Sequence, residues 1–133
     1  MVNPNKYVRK AIYDAVNATI PCFDTQVTGN TNQTAYVLIS TQNKEIDKAT
    51  KCGDRWVSYT LLDIVKIYNG AGNVGSRVAN DDMENTILGL IQNISISGYT
   101  VINRRYEFPP NLDSSTATQT IQRNFIRVIL TLQ

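Results

Sequence analysis

The chain contains no histidine among its 133 residues. The usual general base near neutral pH and the commonest zinc ligand are therefore both missing. Cysteine is scarce as well. Cys22 and Cys52 stand far apart without metal-site spacing, which favours idle or buried thiols over a disulfide. The net charge is only +2, from 13 basic and 11 acidic side chains, too little to indicate nucleic-acid binding from charge alone. No apolar run approaches the roughly 18 residues a membrane helix needs, so no membrane partner is expected. The opening "MVNPNKYVRK" lacks the apolar core of a signal peptide. A cytoplasm-like compartment follows, and the sequons at Asn17, Asn32 and Asn93 read as chance in an asparagine-rich chain.

What is present points to one domain over residues 1–133, with 42% apolar residues and many β-branched ones. A chain of about 150 residues buries roughly 68–70% of its unfolded surface, enough for a core without staples. Val8, Ala11, Ile12, Ala15 and Val16 form one helical face, predicting a helix over 4–17 with Asn3 as cap and Pro4 in its first turn. A short strand is expected over 22–27 and a longer one over 35–42. A polar loop over 43–53 then leads to a long strand over 54–68. Met83, Ile87, Leu90, Ile91 and Ile94 predict a second helix over about 76–93. Two further strands, 99–108 and 119–133, are joined by the exposed loop "PPNLDSSTAT". The expected fold is α+β: two helices packed on a mostly antiparallel sheet with a long protruding β-hairpin.

Gly70, Gly72 and Gly75 in "YNGAGNVGSR" have the G-x-G-x-x-G spacing of dinucleotide-binding turns. That motif needs an acidic residue about 20 positions on, and "LIQNISIS" contains none. Asp81, Asp82 and Glu84 would also repel an anion at the start of the following helix. A phosphate loop fails too, since Ser76 and Arg77 stand where lysine and a hydroxyl residue belong. The glycines therefore read as a turn. The three acids read as a solvated, dipole-stabilising face rather than a metal site. No catalytic residue, cofactor or metal is expected, and the chain reads as something other than an enzyme.

Asp63 and Lys66 interrupt one apolar strand, and Arg123 and Arg127 interrupt the last. These residues and the pair Arg104-Arg105 admit two readings. They line a solvent-facing side of the sheet, or they face a neighbouring subunit.

The layout resembles the tail terminator (tail completion) proteins of long-tailed bacteriophages. The resemblance rests on the helix "VRKAIYDAVNATIP" with "CFDTQV" after it, and on "AYVLISTQ" leading through a polar excursion to "WVSYTLLDIVKIY". It continues in the glycine turn feeding "VANDDMENTILGLIQNI" and in a closing pair of strands. It is a likeness of pattern and size over nearly the whole chain. It implies a structural virion protein at the tail and neck, assembled in the host cytoplasm. Such a protein forms a homo-oligomeric ring, commonly a hexamer, on the head-proximal end of the tail. It ends tube polymerisation and joins tail to head. The implied partners are its own copies, the tail-tube protein and a head-completion or neck protein, with DNA only in transit through the lumen. Mapped onto this chain, the loops at 43–53 and 109–118 become candidates for axial contacts, with Lys44, Lys48 and Lys51 in the first and Asp113 in the second. Head-completion rings and tail-tube subunits are the neighbouring alternatives. A nucleotide-binding enzyme using Gly70–Gly75 is the alternative from a different class.

Overall fold

The computed structural model describes residues 3–24, 34–47, 55–69 and 76–133. The helices form where the apolar spacing is helical. In α1 (Asn5–Asn17), Val8, Ile12 and Val16 share one face and are fully buried. Pro4 itself takes the N-cap position, and the Asn3 side chain accepts the Asn5 N–H at 3.0 Å. In α2 (Arg77–Ile91), Ser76 caps the first turn by accepting the Ala79 N–H at 3.2 Å. Its buried stripe is Asn80, Met83, Ile87 and Ile91, with Leu90 only half-buried.

Among the described residues six strands form one open sheet: β1 (Cys22–Phe23), β2 (Ala35–Asp47), β3 (Arg55–Asn69), β4 (Val101–Glu107), β5 (Leu112–Ser115) and β6 (Gln119–Leu132). The order is β1-β2-β3-β6-β4, with β5 also on β6. Every pairing is antiparallel except β1 with β2. The fold is therefore α+β with two helices and a mostly antiparallel sheet, and β2 and β3 are the arms of its long hairpin.

Both helices pack on one face. Successive even-numbered residues of β6, from Thr120 to Leu132, are all buried. They join Val37, Ile39, Leu62 and Ile64 beneath Val8, Ile12, Ile87 and Ile91. Each fully buried aliphatic side chain contributes about 1.5–3 kcal/mol, so this single layer holds the fold.

Two expected loops are shorter than the sequence indicates. Residues 43–47 continue β2, with Asn43 opposite Tyr59 and Asp47 opposite Arg55. A backbone ladder does not depend on side-chain polarity, and the Tyr59 hydroxyl donates to Glu45 at 2.7 Å across the pair. Within 109–118, residues Leu112–Ser115 form β5 against β6, from Leu112 opposite Arg123 to Ser115 opposite Thr120. The first short strand covers only Cys22–Phe23; Asp24 bends away from it, and 25–27 of the expected span lie outside the described residues.

Irregularities shape both edges. Ile39 faces Leu62 and Gln42 faces Thr60, so residues 40 and 41 share one position on β3 as a bulge. The Arg9 guanidinium fills it, donating to the carbonyls of Ile39 and Ser40 and to Gln42 Oε1. On the other edge, β4 and β5 lie end to end along β6. Glu107 pairs Arg127 and Leu112 pairs Arg123, so residues 108–111 run beside 124–126, four against three. Pro109 and Pro110 stand in this gap, where neither can donate a ladder hydrogen bond.

Candidate functional site

The charged residues fall into three settings. The first is the sheet face opposite the helices, where odd-numbered residues of β3 and β6 point. Asp63 lies there, only 3% exposed, between Leu38 on β2 and Phe125 on β6. Arg123 donates to Asp63 Oδ2 at 2.9 Å, while Oδ1 has no hydrogen-bond partner among the described residues. Burial pushes the Asp63 carboxyl above its usual range, and the Arg123 charge and hydrogen bond pull it partly back. Arg127 lies opposite Glu107 at 3.8 Å, a half-exposed pair of small energetic weight. Arg105 is exposed on this face, near the Tyr59 ring. With Thr41, Asn43 and Leu61, the residues Tyr59, Glu107 and Arg127 enclose a hollow of about 330 Å³.

The second setting is the helix side. Arg104, adjacent to Arg105 and so on the opposite face, donates to the Ile94 carbonyl at 2.8 Å. It clamps the segment after α2 to β4. Lys66 also lies on the helix side, with its ammonium 5.9 Å from the Tyr68 ring centre. Lys44, on β2 at the hairpin end, lines a groove of about 410 Å³ with Asn5, Gln42, Ile46 and Trp56.

The third setting is a polar network under the start of α2. Arg77 pairs with Asp113 of β5 and donates to Asn124 Oδ1 at 2.7 Å. Asn124 donates in turn to Asp81 Oδ1 at 3.1 Å. Buried Asn80 donates to the Gln122 carbonyl at 3.3 Å and accepts from the Tyr68 hydroxyl at 3.1 Å. Burial, then the Asp81 charge, raises the Glu84 carboxyl, while a hydrogen bond with Asn124 lowers it. The acids expected to crowd the helix start therefore begin one turn later, where Asp81 is engaged with β6.

The structure thus joins Asp63 to Arg123 and sets Arg105 and Arg127 on the same face. Arg104 and Asp113 serve other elements. Lys48, Lys51, Cys52 and the Gly70, Gly72 and Gly75 turn lie outside the described residues. Cys22 is a free buried thiol, pushed up to about 11 by burial and by Asp24. Among the described residues no group of three acids or cysteines is arranged to hold a metal ion.

Asn80 and Asn124 were not singled out in the sequence, and Arg77 entered only as a departure from the phosphate-loop pattern. A signal was available for the two asparagines. Asn80 occupies an apolar-stripe position of α2, three residues before Met83, and Asn124 occupies an inward position of β6, two before Ile126. Polar residues at inward positions must find partners, so each marks a buried hydrogen-bond node.

The sequence matches no family model, and no curated protein matches it. The fold, however, is shared with a chain from a structure described as the virion of a native gene transfer agent particle. The TM-score is 0.70 at 10% sequence identity, over 98% of this chain and 99% of that one. The likeness runs over nearly the full length of both chains.

Proposed function

We propose that this protein is a structural component of a phage-like virion. It forms a homo-oligomeric ring at the head-proximal end of the tail, ends tube polymerisation and joins tail to head. The observation that carries this reading is the end-to-end likeness to a virion chain of the same extent. The order of elements, which resembles that of tail terminators, supports the finer assignment.

On this reading the protein works by shape and contact and catalyses nothing. The disposition of its charges suits that role: Asp63, Asp113 and Asp81 are engaged by Arg123, Arg77 and Asn124, the bonds of a scaffold. Repeated around a ring, modest contacts act together.

The test is to add the purified protein to isolated tail tubes and image them by negative stain. Capping of one end only, with loss of further tube growth, is the expected result. Binding along the tube or at a head vertex instead would assign it to a tube subunit or another connector. Saturable nucleotide binding lost on replacing Gly72 would favour the enzyme alternative.

A further inference from the structure

We propose that the two edges of the sheet are complementary, so that the β4 edge of one copy pairs with the free half of β2 on the next. This deepens the ring reading and rests on it.

The first observation is where each edge is open. Among the described residues β1 covers β2 only at Val37 and Leu38, and Arg9 occupies the carbonyls of Ile39 and Ser40. Residues 41–47 then present an edge that no described strand pairs. Across the sheet, β4 has β6 on one side and no described strand on the other. Its seven residues equal the seven of 41–47 in length.

The second is height. Ile46 lies opposite Trp56, Trp56 opposite Leu132, and Leu132 opposite Val101. Asn43 reaches Arg105 by the same route, through Tyr59 and Ile129. The free half of β2 and β4 therefore sit at the same level on opposite edges. The obstacle on one edge also meets a gap on the other. β1 stands level with Asn124 and Phe125, where residues 108–111 leave the β6 ladder.

The third is polarity. Three successive antiparallel pairings separate β2 from β4, so the two run in opposite directions and meet as an antiparallel pair. A contact between different edges at equal height is heterologous, and a rotation about an axis parallel to the strands closes it into a ring.

The side chains fit such a contact. Ile102 is 43% exposed on the β4 edge, and Ile46 is 42% exposed on β2. Ile102 is the extra residue of a bulge, because Val101 pairs Leu132 and Asn103 pairs Thr131. On the face away from the helices, Glu45 is level with Asn103, one diagonal step from Arg105, where opposite charges attract.

The experiment is a cysteine pair, Asn43→Cys with Arg105→Cys, in a Cys52→Ser background. It is oxidised mildly over a concentration series, beside each single variant. We expect the double variant to give a ladder of covalent oligomers ending in one closed species, and the singles to stay uncrosslinked. Ile102→Lys with Ile46→Lys should abolish assembly in sedimentation while leaving the circular dichroism spectrum unchanged. Efficient self-crosslinking of either single variant, or a double variant that stays monomeric throughout, overturns the proposal. Tube capping separates the two readings. A ladder without capping leaves edge pairing standing and removes the tail-end role; capping without a ladder does the reverse.

Discussion

Asp63 and Arg123 are sixty residues apart in sequence, yet their side chains meet at 2.9 Å across β3 and β6. The two sides of this pair are unequal. The carboxylate is nearly inaccessible and one oxygen has no partner among the described residues, whereas about a third of the arginine side chain is exposed.

That inequality predicts opposite effects from the two partners. Arg123→Ala leaves a buried carboxylate with no counter-charge and should cost about 3 kcal/mol in urea unfolding at pH 7. Asp63→Asn removes the buried charge and leaves an arginine that water can solvate. It should be neutral or stabilising by up to about 1 kcal/mol. Because the folded protein holds the Asp63 carboxyl above its ordinary 3.8, the folded state binds that proton more tightly than the unfolded chain. The resulting stability is full below 3.8 and is lost as pH rises through the folded value. The advantage of Asp63→Asn should therefore fade on acidification; an advantage that grows towards low pH would contradict the assignment.

Asn80 joins α2 to both β3 and β6. Asn80→Ala removes its bonds to the Gln122 carbonyl and the Tyr68 hydroxyl, which keeps the Ser76 carbonyl at 3.2 Å as an acceptor, and should cost about 1 kcal/mol. Thermal unfolding of Asn80→Ala beside Tyr68→Phe checks this. The double variant should lose less than the sum, since both remove the same bond.

Arg77 and Asp113 tie β5, all four of whose residues are exposed, to the body of the protein. Asp113→Ala should leave global stability within about 1 kcal/mol of the parent, because the pair is partly solvated. Amide exchange should nevertheless quicken in residues 112–115 and not in β4. Equal acceleration in both strands would show that they open as one unit.

Cys22 is buried, with its thiol raised to about 11. At pH 8 roughly one thiol in a thousand is ionised, so alkylation should be slow in the native protein and rapid in denaturant. Mass spectrometry of the modified peptide reads this directly.

The helices and the strong strands were legible because their apolar residues repeat at 3.6 and 2 positions, as in Val8-Ile12-Val16 and Ile126-Val128-Leu130. The end of β2 and the whole of β5 were not. "NKEID" and "LDSS" lack apolar alternation, and they are strands because β3 and β6 offer them a ladder. Adjacent arginines show the same limit at one site. Strand parity separates Arg104 from Arg105, but only the fold reveals that Ile94 waits on one side. The Asp63–Arg123 bond needed the order β3-β6, a long-range pairing that local patterns do not encode.

That order also governs when the molecule can exist. β6 lies between β3 and β4 and carries β5 as well, so residues 119–132 hold the sheet together. A nascent chain displays β4 and β5 before their partner strand has been made. The β2–β3 hairpin can form early, but β4 and β5 have no neighbour until β6 arrives. Chains cut short before Gln119 would therefore leave β4 and β5 without the strand that holds them.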